Sequence, residues 1–320
     1  MKLTILTDDF IVKYTDESIE SLRAATPGVD ISCLHRDSVS LDVLIGSEVI
    51  FGWPPHEMLK QLINLKWLHL PSAGANNFTD VSLYANPSII LTKSSGTFGV
   101  PIAEHIIGMM IALNRKFMHY YNAQQKGVWL REREEPLDLF GSNVLVLGLG
   151  NIGTELCKRL SGFGCNITGF RRDASAPHGL VSDVRPVSQL RDYLPDADYV
   201  VVCLPGTAET DKLLGREEFD LMKSRAIVIN IGRGSIIDTD ALVYALNEHK
   251  IGGAGIDVTD PEPLPPGHPL WSAENVMITP HASASSALNG ERRLAIFADL
   301  LKRYMSGQDM YNLVNFSAGY

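Results

Sequence analysis

The sequence is poor in cysteine. Its 320 residues include four, Cys33, Cys157, Cys165 and Cys203, with no CxxC pair and no regular spacing. That argues against a disulfide framework or a thiolate metal site, and it predicts buried thiols in a reducing, cytoplasmic setting. None of the nine histidines falls in an HxxxH or similar ligand spacing, so no metal is expected. Long hydrophobic runs are missing as well. The longest clean one, Ile106–Leu113, is far below the ~20 apolar residues of a membrane span. The start, MKLTILTDDF, turns acidic at Asp8 before a signal-peptide hydrophobic region could finish. Positive charge is scarce: 28 Lys and Arg against 37 Asp and Glu give a net charge of −9. This speaks against wrapping nucleic acid or coating an anionic membrane. No internal repeat is visible.

What is present is a globular composition, 45% hydrophobic and 20% charged, in a length suited to about two domains. Short apolar runs alternate with helical patterns throughout, the signature of an α/β protein with parallel sheets. Strands are predicted at Leu3–Leu6, Val29–Cys33, Val49–Phe51, Trp67–Leu70 and Ile89–Leu91, with helices at Ser18–Ala25, Met58–Ile63 and Asn77–Leu83. A long helix is predicted from Pro101 to about Tyr121, then a polar loop, Arg131–Asp138. A second series of strands follows at Asn143–Leu147, Asn166–Phe170, Tyr199–Cys203, Ala226–Asn230, Gly253–Asp257 and Val276–Ile278, before a last helix over about Leu288–Met305.

Gly148-Leu149-Gly150-Asn151-Ile152-Gly153 follows one of these strands and opens a helix. In a GxGxxG turn of this kind, Gly148 turns the chain tightly, Gly150 lets a pyrophosphate approach and Gly153 lets helix and strand pack closely. Free N–H groups at the helix start then face the phosphates. Dinucleotide sites for NAD carry an acid at the end of the next strand. This chain has Arg171 and Arg172 there, with Asp173 two residues late. Guanidinium groups suit a 2′-phosphate, so NADP(H) is the predicted cofactor, with NAD the minor alternative.

Arg233, Glu262 and His281 each stand just beyond a predicted strand, where open α/β sheets bind ligands. An arginine can bind a carboxylate and polarise a ketone oxygen. A protonated histidine can give its proton to the alkoxide formed as hydride arrives, and a neighbouring glutamate stabilises the imidazolium. Taken together they make a hydride-transfer site for a 2-oxo acid.

With these residues in place, the sequence resembles the D-isomer-specific 2-hydroxyacid dehydrogenase family over almost its whole length, in a branch like the glyoxylate and hydroxypyruvate reductases. The matching segments are Leu145–Gly153, Leu204–Leu214, Asn230–Asp238, Gly255–Leu264, His268–Leu270 and Thr279–His281. The resemblance implies a 2-oxo acid reductase with His281 as acid/base, Glu262 as its partner and Arg233 as the substrate arginine. It implies that Leu204, Pro205, Thr210 and Ile231 line the cofactor, that Asp257 lies near the nicotinamide carboxamide, and that Ser72, Ala73 and Gly74 hold the substrate carboxylate through their amides. Trp53 is either a wall of the substrate pocket or a packing residue. The implied fold is α/β, two Rossmann-like doubly wound parallel-sheet domains with the active site in the cleft. Residues 1–99 and 286–320 would form the substrate domain and 100–285 the dinucleotide domain. A homodimer is implied, with the apolar helix Ile102–Leu113 at its interface.

Three departures from the family pattern stand out: Arg171 in place of Asp, Thr259 after Asp257-Val258, and Ala282–Ser286 where glycines are usual. A long-type phosphoglycerate dehydrogenase would need a further domain, and none is expected after Tyr320. A formate dehydrogenase would have Gln at Glu262, and a phosphite-oxidising relative a lysine at Ala73. A non-catalytic nucleotide sensor or corepressor on the same fold is the rival from another class; it would need none of the three polar residues.

Overall fold

Short runs of Val, Ile and Leu without polar alternation form strands buried on both faces, as in parallel sheets covered by helices on each side. The computed structural model describes residues 1–9, 12–131, 136–175, 178–181 and 183–316. Of the predicted polar loop Arg131–Asp138, residues 132–135 lie outside the described residues. In chain order the elements are β1 (Lys2–Thr7), α1 (Asp16–Ala25), β2 (Asp30–His35), α2 (Leu41–Leu44), β3 (Val49–Phe51), α3 (His56–Leu59), β4 (Trp67–Leu70) and β5 (Ile90–Lys93). They continue as α4 (Gly99–Asn114), α5 (Phe117–Gln125), β6 (Asn143–Leu147), α6 (Asn151–Gly162), β7 (Asn166–Arg171), β8 (Asp183–Pro186), α7 (Leu190–Tyr193) and β9 (Tyr199–Val202). The last are α8 (Arg216–Leu221), β10 (Ile227–Asn230), α9 (Thr239–Asn247), β11 (Gly253–Ile256), β12 (Val276–Ile278) and α10 (Asn289–Ser306). The chain divides into two units, Met1–Thr97 with Ser286–Tyr320, and Phe98–Ser285.

The first unit is a five-stranded parallel sheet in the order β2-β1-β3-β4-β5. Alternate residues serve opposite layers. Leu3, Ile5, Val49, Phe51 and Trp67 pack with Leu22 of α1 and with Leu294, Phe297, Leu300 and Leu301 of α10. Leu6, Ile50, Leu68, Leu70 and Leu91 pack with Leu44, Leu59 and Leu62 on the other side. Phe297 is the centre of the first layer, stacked 4.5 Å from Phe51 and 5.2 Å from Trp67. The last helix thus completes a core begun by the first strands. Trp53 packs against the second layer.

The second unit is a seven-stranded parallel sheet in the order β12-β11-β10-β9-β6-β7-β8. Along β6, Val144 and Val146 face α4 and α6, while Leu145 and Leu147 face the layer containing Leu190, Phe219 and Leu242. The chain starts in the middle at β6, runs outward through β7 and β8, then returns to build β9 to β12 on the other flank. The switch point lies between β6 and β9, where such sheets open a crevice for ligands.

Several sequence expectations need correction. The predicted helix Pro101–Tyr121 is two helices, because Lys116 adopts a left-handed backbone, φ 53°. α4 is buried on most sides, whereas α5 has no buried residue, so the break falls where the chain leaves the core. Within this unit most apolar side chains of Ile102–Leu113 are covered by β6, β9, β10 and α6. The exposed apolar residues lie just beyond it: Phe117, Met118, Tyr121, Val128 and Trp129, the last 88% exposed. Residues Asn77–Leu83 form two short 3-10 turns in place of a helix. Strand β8 was not anticipated, since an edge strand of sequence DVRP carries no hydrophobic run. Cys33 is exposed, not buried. Tyr304 packs on Trp67, and Met305 is exposed. No helix among the described residues is long and apolar enough to cross a membrane.

Truncating Phe297 to alanine should cost about 3–5 kcal/mol, the usual loss for a fully buried phenylalanine. Equilibrium urea unfolding, followed in the first unit by the fluorescence of Trp67, measures it.

Candidate active site

The phosphate-binding turn is built by backbone crowding. β6 ends at Leu147, and Gly148 turns at φ +104° with its N–H bonded to the Phe170 carbonyl at 2.8 Å. A Cβ on Gly153 would sit 1.9 Å from the Gly148 carbonyl oxygen, so no side chain fits there. A Cβ on Gly150 would meet nothing, which leaves that side of the turn open for a ligand. Gly150 caps α6 and contributes no side-chain bond. Among the described residues, the amides of Asn151, Ile152 and Gly153 have no protein acceptor. An anion would satisfy them, aided by the helix dipole. The turn therefore fits a dinucleotide pyrophosphate.

Arg171 ends β7, half-buried and paired in register with Pro186. Arg172 is exposed and forms a 3.2 Å ion pair with Glu209, a surface contact worth little that an incoming phosphate can displace. Asp173 accepts the Ser175 N–H at 2.9 Å. That bond, together with the nearby Arg171 charge, holds its carboxyl below the usual range. The late acid is thus occupied in closing its own turn. Across the switch point, Leu204 and Ile231 are buried and Pro205 is exposed. Thr210 folds the 204–210 loop by donating to the Pro205 carbonyl at 2.8 Å and accepting from the Thr207 N–H at 2.9 Å.

Beyond β10, the backbone of Gly234 lies against that of Thr259 so closely that a Cβ would come within 2.0 Å of its carbonyl oxygen. This draws Arg233 and Glu262 to the walls of one hollow of about 650 Å³, which they share with Gly206, Thr207, Asp211 and Ser235. Glu262 also lines a second hollow of about 290 Å³ with His281, Thr279 and Trp271. His281 Nδ1 lies 2.7 Å from Glu262 Oε1. The carboxylate accepts a hydrogen bond from Nδ1–H, which leaves Nε2 available to a ligand. So the structure brings the three residues singled out from the sequence to one rim of the second unit.

What sequence reasoning missed is how His281 is held. Its backbone is left-handed, φ 51°, a conformation that costs energy for histidine and needs support. Support comes from Asp257, only 2% exposed. Asp257 Oδ1 accepts from Thr279 Oγ1 at 2.5 Å and from the Ala282 N–H at 2.8 Å, and the Ser283 N–H reaches both oxygens at 3.1–3.2 Å. The His281 N–H itself bonds the Asp257 carbonyl at 2.8 Å. Burial alone would push the Asp257 carboxyl up, but these donors hold it below its usual value. His105 of α4 extends the network to Thr279 Oγ1 at 3.2 Å. The acidic residue assigned to the carboxamide region by resemblance thus spends its carboxylate on the turn bearing His281. An acid beyond one strand end and a Thr-Pro-His beyond the next were the available signal, but their contact is a tertiary fact.

In the first unit, the loop after β4 exposes Ala73 and Gly74. Among the described residues, the N–H groups of Ser72, Ala73 and Gly74 have no protein acceptor, while Ser72 Oγ donates to the Gly74 carbonyl at 2.6 Å.

A turn that binds phosphates and a carboxylate-paired imidazole, on one sheet, are the equipment of a dinucleotide-dependent dehydrogenase. Residues 107–283 match the NAD binding domain of the D-isomer specific 2-hydroxyacid dehydrogenases. The chain is 32% identical over 316 residues to a glyoxylate reductase of Aeropyrum pernix, covering 96% of this chain and 92% of that one. It is also 32% identical over 282 residues to a D-3-phosphoglycerate dehydrogenase of Methanocaldococcus jannaschii, where it covers 88% of itself but spans only about half, 52%, of the relative. A D-isomer specific 2-hydroxyacid dehydrogenase of Xanthobacter autotrophicus, solved with NADPH and MES, superposes with a TM-score of 0.78 at 26% identity, over 100% of this chain and 99% of that one. The protein belongs to the D-isomer specific 2-hydroxyacid dehydrogenase family.

Because the Asp257 carboxyl is depressed in the folded state, its contribution to stability is present above the unfolded value near ~4 and is lost as pH falls through the lower folded value. Asp257→Asn should therefore flatten the acid limb of the stability profile. It should also cost about 1.5–3 kcal/mol at neutral pH, the worth of hydrogen bonds to a charged acceptor. Thermal melts between pH 3 and 7 check both.

Proposed function

We propose that the protein reduces a 2-oxo acid to a D-2-hydroxy acid, with NADPH preferred to NADH. The observation that carries this reading is the 2.7 Å His281–Glu262 pair on the rim of the hollow that Arg233 lines. When bound, the reduced nicotinamide supplies the hydride. Arg233 binds the carboxylate and ketone oxygen of the substrate and stabilises charge as it develops on that oxygen. His281 Nε2 gives its proton to the same oxygen, and Glu262 holds the imidazole in orientation and balances its charge. The Ser72–Gly74 amides, without a protein acceptor among the described residues, are the proposed holders of the carboxylate. Trp271 beside His281 favours a small or apolar side chain on the acid, with glyoxylate and hydroxypyruvate the first candidates. The curated glyoxylate reductase relative supports that choice.

The cofactor preference rests on Arg171 and Arg172 in the slot of the usual acid, and on Asp173 being turned to Ser175. A relative solved with NADPH supports it. The protein is further proposed to act as a homodimer in the cytoplasm. The exposed apolar stretch Phe117–Trp129 supports the dimer, and four free thiols support a reducing compartment.

Loss of reduced-nicotinamide absorbance on a panel of 2-oxo acids, run with NADPH and NADH, tests the reading. Faster turnover with NADPH is expected. Equal or better efficiency with NADH would remove the cofactor assignment, and cofactor binding without turnover of any acid would favour the corepressor-like role. His281→Ala should lower kcat by ~10²–10⁴-fold, the usual worth of a positioned proton donor, with cofactor affinity unchanged by titration.

A further inference from the structure

A second histidine, in the other unit from His281, sits in the first unit's sheet with no solvent access. His69 lies mid-strand in β4, fully buried, opposite Thr92 of β5 in register. Burial pushes its imidazole down to about 3, so it is neutral at any working pH. Its Nδ1 is 2.7 Å from Thr92 Oγ1 and its Nε2 is 2.9 Å from Ser94 Oγ. Trp67 Nε1 donates to the same Thr92 hydroxyl at 2.8 Å, and Ser94 Oγ donates to the Leu70 carbonyl at 3.0 Å.

These end groups fix the direction of the whole chain of bonds. An indole N–H can only donate and a carbonyl can only accept. Thr92 Oγ1 therefore accepts from the indole N–H and donates to Nδ1. Nε2 carries the ring hydrogen and donates to Ser94 Oγ, which donates to the Leu70 carbonyl. Every group is satisfied in one tautomer only, so the network has a single arrangement and locks the Ser94 hydroxyl toward Leu70. The Ser94 backbone N–H adds bonds to the carbonyls of Leu70 and Ser72, both at 3.0 Å. Two carbonyls of the segment are thereby turned inward to Ser94, and among the described residues the N–H groups of Ser72, Ala73 and Gly74 are left without protein acceptors.

We infer that His69 is a positioning residue for substrate, acting through Ser94 to hold the Ser72–Gly74 loop in the conformation that presents its amides to a carboxylate. This rests on the reading of that loop as the carboxylate holder. A core apolar residue at position 69 would fill the same space and leave two buried hydroxyls half-paired, with the loop free to relax.

The test measures KM and kcat for glyoxylate, or for pyruvate if its turnover is faster, together with cofactor affinity and Tm. In His69→Phe and in Ser94→Ala, KM should rise roughly tenfold, the effect of one misdirected hydrogen bond. kcat at saturation and cofactor affinity should stay within about twofold. The double variant should be no worse in KM than the poorer single, as expected for two links in one chain. His69→Gln, which keeps a donor toward Ser94, should recover part of the loss. Ser47→Ala removes the buried 2.7 Å bond to Thr4 elsewhere in the same sheet, and it should lower Tm while leaving KM alone. If His69→Phe and Ser94→Ala behave like Ser47→Ala, the positioning role is overturned. If His69→Phe does not fold, Ser94→Ala alone decides. Ala73→Pro, which deletes a loop amide, separates the two levels. Unchanged KM in that variant removes the carboxylate reading and the His69 role with it. A raised KM there, with no KM change in Ser94→Ala, removes only the role of His69.

Discussion

A buried carboxylate organises the rim on which His281 meets Glu262. Asp257 is almost without solvent contact, and its charge is tolerable only because a hydroxyl and two backbone N–H groups converge on it. Those same bonds force the chain after β12 into the turn that puts His281 at positive φ facing Glu262. Without the charge, that turn has no reason to hold an unfavourable backbone, and the histidine has no fixed place. The acid that resemblance assigns to the cofactor region is, in its contacts, the anchor of the turn that bears His281. Charge burial and the placing of His281 are one constraint here.

Parallel sheets explain why so few residues suffice. Every strand of the second unit points the same way, so the turns after β6, β7, β10, β11 and β12 all emerge at one end. Their close approach is limited by backbone, as at Gly153 and Gly234, where a single Cβ would overlap a carbonyl oxygen. The motif glycines thus have two jobs: they leave amides open to phosphate, and they let neighbouring turns come near enough for side chains from separate strands to meet. The first unit holds a neutral network, in which Trp67, Thr92, His69 and Ser94 pass hydrogen bonds toward the loop of Ser72–Gly74.

Much of this was legible in the chain. Apolar runs located all but one of the strands, because a strand buried on both faces must be apolar throughout. Polar β8 escaped for the same reason, having little to bury. The GxGxxG turn and the Arg233, Glu262 and His281 trio were readable because their chemistry demands particular residue types at strand ends. The break at Lys116 carried no local signal; it is set by where α4 stops being covered. Sequence leaves the use of an apolar helix open: it reads the same whether its own unit or a partner covers it, and most of the apolar side chains of α4 are covered by their own unit.

The sequence by itself determined the layer architecture, the nucleotide turn and the identity of the polar residues, since period, glycine spacing and side-chain chemistry are local properties. Only the tertiary structure decided which acid supports which group. It joined Asp257 to a turn more than twenty residues away. It also linked His69 to Ser94 across two strands. Hydrogen-bond partnership depends on distances of about 3 Å, and residues far apart in sequence reach such distances only once the sheets are packed.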